Sequence, residues 1–170
     1  LSYNVEEPKV PLLLNKQRNL FKLFLNDVGL LAAMYGDNIQ LRPLSGDNYI
    51  NYGAVYENFV AQELNAHGFA NGHGLYYFNS KKQGELDFVI EYNGAVLPIE
   101  VKSGKNYERH RALSNVVKNE QYAVNQAFVF CQDNVSVREK AVYLPIYMLM
   151  FLDQPKLDNL IVTFDLTGLG

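Results

Sequence analysis

The sequence predicts a single α/β domain, and three features point to it. Residues Gly53–Ala66 form a helix-length stretch whose apolar and polar residues sort to opposite sides, closed by Gly68. Two strand-like runs, Leu86–Tyr92 and Ala95–Val101, flank Asn93-Gly94, a strong signal for a two-residue hairpin turn. Short apolar runs at Leu75–Phe78, Ala127–Cys131 and Val142–Pro145 supply further strands. A length of 170 residues suits one substantial core rather than two domains.

Residues 1–19 read as an N-terminal arm, because Pro8 and Pro11 interrupt regular structure while Leu12 to Leu14 offer a small apolar anchor. The domain proper is expected over 20–152. Leu20 to Leu25 suits a buried strand or the start of a helix, and periodicity alone leaves both open. Asp27 is placed to cap a helix carrying Leu30, Leu31, Ala33 and Met34, with Gly36 ending it. Arg42 to Asn51, with Pro43, Ser45, Gly46 and Asp47, reads as a connection.

On the helix that follows, Asn58, Gln62 and Asn65 define a polar side opposite Val55, Phe59, Val60 and Leu64. Glu57 lies at the edge of the apolar arc and Glu63 nearer its middle, so each needs a cation, a hydrogen bond or a proton if it faces the core. Ser80–Gly84 forms a polar turn between strands, and Ser103-Gly104 turns into a basic, helical segment running to Tyr122. Ile146–Leu152 is a packing element. The segment 153–170 is expected as a final strand, centred on Ile161 to Leu166, or as a docking tail.

Composition narrows the function classes. With 48% apolar and 19% charged residues the chain is not of the disordered type. A net charge of −3 and a pI of about 5.6 argue against a broadly basic surface but leave room for a local basic groove. Cys131 is the single cysteine, which fits a reducing, cytoplasmic setting. No apolar run approaches the roughly 18 to 20 residues that span a bilayer. A Walker A Gly-rich sequence and a Gly-x-Gly-x-x-Gly segment are both absent, so this segment is not expected to hydrolyse ATP by itself.

The hairpin carries the main functional expectation. Residues two apart on a strand share a face, so Glu85 goes with Asp87 and Glu100 with Lys102, while Ile99 and Val101 point to apolar packing. A two-residue turn at Asn93-Gly94 sets the register so that paired positions sum to 187, which brings Asp87 opposite Glu100. Two carboxylates there repel, and a hard divalent cation, Mg2+ or Mn2+, resolves the conflict. Lys102 adds a positive charge suited to holding an anionic substrate, stabilising developing charge or positioning water. Phosphodiester hydrolysis fits this set, with Glu57 reaching in from the helix as a further ligand directly or through water. An ordinary ion-paired hairpin is the structural alternative.

Lys81, Lys82, Lys105, Arg109 and Arg111 are candidates for phosphate contacts around a groove, against a plain solvated rim partly neutralised by Glu108. Tyr107 and Tyr122 are weaker candidates for base stacking. His67, His73 and His110 lack the spacing of a zinc motif, and Cys131 reads as a buried small hydrophobe.

Gly84-Glu85-Leu86-Asp87 and Ile99-Glu100-Val101-Lys102-Ser103-Gly104 resemble the two core motifs of the PD-(D/E)XK, or restriction-endonuclease-like, superfamily, and Gly53 through Phe59 resembles its preceding acidic helix. More narrowly, Asn26 through Leu30, Glu57 through Leu64, Glu85 through Ile90, Pro98 through Gly104 and Leu144-Pro145 resemble the domain of unknown function numbered 4143, found at the C-terminal end of bacterial and archaeal AAA-type ATPases. The resemblance implies a restriction-endonuclease-like core with a central mixed β-sheet flanked by helices. It carries ligand roles onto Asp87 and Glu100, the superfamily lysine onto Lys102 and the helix glutamate onto Glu57, while Leu86 stands where the superfamily's proline would be. It further implies an AAA-type ATPase module on the same full-length chain, with DNA or RNA as a further partner. Two readings compete: a Mg2+-dependent nuclease-like domain, and a nonenzymatic protein-interaction or nucleic-acid-sensing module of the ATPase.

Overall fold

A computed structural model of the chain describes residues 1–35 and 52–154. Among the described residues eight strands form one mixed sheet: β1 (Ser2–Val5), β2 (Lys16–Lys22), β3 (Leu75–Ser80), β4 (Gly84–Tyr92), β5 (Ala95–Val101), β6 (Ala127–Cys131), β7 (Ser136–Arg138) and β8 (Ala141–Pro145), in the order β2-β1-β3-β4-β5-β6-β8-β7. Three neighbouring pairs, β1/β3, β5/β6 and β6/β8, are parallel, and the others are antiparallel. Helices α1 (Val28–Met34), α2 (Gly53–Ala66) and α3 (Arg111–Lys118) flank it, with short 3-10 turns at Leu12–Asn15, Glu120–Tyr122 and Ile146–Phe151.

Each face of the sheet has its own core. On one, Ala112, Leu113 and Val116 of α3 pack on Phe78, Leu86, Val89 and Val129. On the other, Val60, Ala61 and Leu64 of α2 pack on Phe88, Ile90, Leu97, Ile99 and Phe130. A sheet buried on both faces needs apolar residues at consecutive positions, which is why β4 reads Phe88-Val89-Ile90 without alternation. No described helix is long and apolar enough to cross a membrane.

The hairpin forms with the expected register. Phe88↔Ile99, Val89↔Pro98, Ile90↔Leu97, Glu91↔Val96 and Tyr92↔Ala95 are the paired positions, each summing to 187. Asn93 at φ +51° and Gly94 at φ +74° make the turn, the left-handed pair that matches strand twist. Asp27 caps α1 as expected, its Oδ1 accepting the Leu30 N–H at 2.9 Å.

Several expectations change. Residues 1–19, read as an arm, contribute β1 and the start of β2 to the sheet; Val5 and Leu12 are fully buried there, and the Leu12 N–H bonds Glu91 Oε1 at 2.6 Å. Leu20 to Leu25, expected to be buried, instead spans the end of a sheet-edge strand and the loop after it, leaving Leu20, Phe21 and Leu23 exposed. The polar side of α2 does not face water throughout. Asn58, 2% exposed, accepts the Leu25 N–H at 2.8 Å and donates to the Leu25 carbonyl at 3.0 Å, and Gln62 accepts the Val28 N–H at 3.0 Å. An amide side chain satisfies the backbone of the loop laid over it, so wheel polarity here marks a polar seam rather than a surface. The basic segment after Ser103-Gly104 becomes helical only at Arg111. The helix end at Gly36, the connection at Arg42 to Asn51 and the strand at Ile161 to Leu166 lie outside the described residues, as does 155–170 of the tail.

Candidate functional site

The site sits where β4 and β5 part. Their ladder ends at Phe88↔Ile99, beyond which β5 pairs with β6 through Glu100↔Val129 and Val101↔Phe130. On its other side β4 carries an irregularity against β3: Tyr76 pairs with Val89 and Phe78 with Leu86, so Asp87 and Phe88 together face the single residue Tyr77. Such a bulge re-aims a side chain. Asp87 uses its new direction to take over a backbone bond, its Oδ2 accepting the Val101 N–H at 2.7 Å. Asp87 and Glu100 thus flank the point of separation.

Glu100 is 6% exposed. One of its oxygens accepts from Lys102 Nζ at 2.6 Å, while Oε2 is buried without a hydrogen-bond partner. Burial, and then the charge of Asp87, push the Glu100 carboxyl up to about 7, with Lys102 opposing. Asp87 is also raised, by burial above all, against the lowering effect of the Val101 N–H and of Lys22 and Lys102. Glu57, on α2, is raised by burial and by Asp87. Three carboxyls on three elements therefore hold their protons more tightly than free ones do, which is the electrostatic signature of negative charge concentrated away from water.

Lys22, at the end of β2, is the member that sequence reasoning missed. Its ammonium bonds Glu85 Oε1, stands 3.8 Å from Glu57 Oε2 and lies 5.0 Å from the centre of the Tyr77 ring. Glu85 takes Lys22 and accepts from the Asn79 side-chain amide at 2.6 Å. Burial pulls the Lys22 pKa down, but Glu85, Glu57 and Asp87 outweigh it and hold it above its ordinary value. Glu63 stays apart from the cluster, 3.8 Å from His67.

Beside the cluster lies an open cleft of about 310 Å³ lined by Glu85, Glu100 and Lys102 together with Lys81, Lys82, Arg109 and Arg111. Four of the five expected cations thus line the same cleft as Glu85 and Glu100; Lys105, Asp87 and Glu57 are not among its lining residues. Tyr122 is buried against Phe78 and bonded by Gln83 Nε2 at 3.1 Å, so it offers no face for stacking. Tyr107 donates to Asp133 at 2.6 Å, and its ring meets that of Tyr143 edge-on. His110, another cleft residue, shares a 2.6 Å bond with the Tyr143 hydroxyl. Cys131 is fully buried and burial raises its thiol, as suits a packing residue.

The donor set sets limits on a metal ion. Among the described residues no group of three or more His, Cys, Asp or Glu side chains is arranged to hold one. Asp87 and Glu100 alone fit the looser demand of Mg2+, which binds through one or two carboxylates and completes its shell with water and substrate phosphate. The buried, unpartnered Glu100 Oε2 fits the same ion.

Two curated relatives, an uncharacterized protein of Mycobacterium bovis and one of Mycobacterium tuberculosis, are each 28% identical to the chain over 108 residues. The match takes in 64% of this chain but only 23% of the length of each relative. No solved structure matches the chain. The model of the family described as Domain of unknown function (DUF4143) matches residues 52–149, from the start of α2 to the turn after β8, a stretch that contains Glu57, Glu85, Asp87, Glu100 and Lys102. The chain belongs to this family of domains of unknown function.

Proposed function

We propose that the domain is nuclease-like: a phosphodiester hydrolase of the PD-(D/E)XK, restriction-endonuclease-like kind, assisted by Mg2+ or Mn2+ and working beside an AAA-type ATPase module of a longer chain. The observation that supports this reading is the placement of Glu100 and Lys102 on the wall of a cleft whose remaining cations are Lys81, Lys82, Arg109 and Arg111. Carboxylates collected at the side of a cationic groove suit a substrate that is a chain of phosphates flanking one reacting centre.

In this reading Asp87 and Glu100 hold the cation, and Asp87 is fixed for the task by its bond to the Val101 N–H. When bound, the ion supplies Lewis acidity toward a phosphoryl oxygen and toward water. Lys102 Nζ, 2.6 Å from Glu100, is the group assigned to stabilise negative charge developing on the phosphorus oxygens. Arg109 and Arg111 before and at the start of α3, with Lys81 and Lys82 on the β3–β4 turn, hold phosphates on either side. Glu57 approaches through Lys22 or water.

The second reading, a nonenzymatic interaction or nucleic-acid-sensing module of the ATPase, is favoured by one observation: the Glu100–Lys102 and Glu85–Lys22 ion pairs already neutralise part of the cluster. Cleavage assays with Mg2+ or Mn2+ on single-stranded, duplex and branched nucleic acids separate the two. Asp87→Ala, Glu100→Ala and Lys102→Ala, each verified as folded, are expected to abolish cleavage. Activity equal to that of the unaltered chain would reject this site, and inactivity on every substrate with the ATPase present would favour the interaction module.

A further inference from the structure

We propose that Lys22 is a built-in counter-cation that limits the acidic cluster to one divalent ion: by engaging Glu57 and Glu85 it leaves only Asp87 and Glu100 to ligate. The inference rests on the reading of those two carboxylates as cation ligands. It starts from a long reach across the sheet. Lys22 pairs with Ser2 of β1, and β3 lies between β1 and β4 in the strand order. From there its side chain passes over the Tyr77 ring of β3 to reach Glu85 on β4 and Glu57 on α2. Only a quarter of the Lys22 side chain is exposed, so water screens these contacts weakly.

Ion pairing sets which carboxylates stay open to a cation. Lys22 engages Glu85 and Glu57, and Lys102 engages one oxygen of Glu100. The buried Glu100 Oε2, unpartnered in a residue 6% exposed, marks where a ligand contact is missing. At Glu57 and Glu85 the contact is already made by an ammonium.

Without Lys22, Glu57 and Glu85 lose the ammonium that engages them both and become open to a cation. The test is Mn2+ titration of the intact chain by calorimetry, with the number of bound ions read independently by electron paramagnetic resonance. The unaltered chain is expected to take one Mn2+. Lys22→Met, which keeps the length of the side chain over Tyr77, is expected to admit a second ion or to bind the first roughly tenfold tighter. Lys22→Arg should behave as the unaltered chain, and adding Glu57→Gln to Lys22→Met should restore a single ion. Glu57→Gln alone should still hold one Mn2+; loss of that ion would make Glu57 a ligand and overturn the inference even if Lys22→Met does not fold. One ion of unchanged affinity in Lys22→Met would overturn it while leaving the Asp87–Glu100 site intact. No Mn2+ in either chain would overturn both.

Discussion

Glu100 occupies the position where β5 leaves β4 for β6, with one carboxylate oxygen on Lys102 and the other on nothing. Its pKa, pushed up to about 7 from an ordinary 4.5 by burial and by Asp87, has a consequence for stability whose sign is opposite to that of most carboxylates. Because the folded state holds this proton more tightly than the unfolded state, the contribution is fully present below pH 4.5 and is lost as pH rises toward 7. The full loss is on the order of 3 kcal/mol. Asp87 and Glu57, raised chiefly by burial, add slopes of the same sign. Thermal unfolding in the presence of a chelator should therefore show the melting temperature falling over this window beyond what the other groups impose. Glu100→Gln, which keeps the shape and removes the charge, should flatten the fall without abolishing it. Mg2+ at pH 8 should raise the melting temperature of the unaltered chain and not that of the variant. A slope unchanged by Glu100→Gln would mean that the Glu100 carboxyl titrates no differently in the folded and unfolded chains.

At the scale of elements, the part of the site that was legible in the sequence is the part specified locally. Asn93-Gly94 and two short strands fix a register by counting; that count set Asp87 opposite Glu100, one step beyond Phe88↔Ile99, where the ladder ends. The bulge at Asp87 and Phe88 was hidden because it is set by pairing with β3. Lys22 was hidden for a stronger reason. Its approach depends on β1 entering the sheet in parallel beside β3, a contact more than fifty residues away in the chain that Pro8 and Pro11 seemed to argue against. Gly84 shows how closely the elements are fitted. It has φ +96°, and a Cβ added there would stand 3.1 Å from that of Ala112 on α3, whereas at Gly94, φ +74°, nothing lies within 4 Å. Gly94→Ala should cost only the backbone term, roughly 1–2 kcal/mol. Gly84→Ala should cost about 1 kcal/mol more as it pushes α3 outward. Because α3 begins at Arg111, Gly84→Ala alone should also weaken polyanion binding. Chemical denaturation and a binding titration on both variants check this, and equal losses in the two would remove the helix contact from the account.

For the molecule as a whole, a net charge of −3 sets a constraint on any polyanionic partner. Far from the cleft the average field repels nucleic acid, so affinity has to come from the few cations that converge near Glu100. Counterion release then bounds the salt dependence. Each phosphate neutralised contributes roughly −0.9 to the slope of log affinity against log salt on duplex DNA, so the four rim cations support a slope no steeper than about −4. Fluorescence anisotropy with a labelled duplex, titrated at several salt concentrations, measures it directly. Lys82→Gln and Arg111→Gln should each reduce the slope by about one, and weaken binding similarly for unrelated sequences, because a phosphate contact carries no base information. Lys105→Gln, outside the cleft lining, should leave the slope where it is, although it changes the net charge by the same amount. That pairing separates a groove from a general charge effect. If all three variants shift the slope equally, the protein responds only to its overall charge, and the cleft beside Glu100 is not where the phosphates lie.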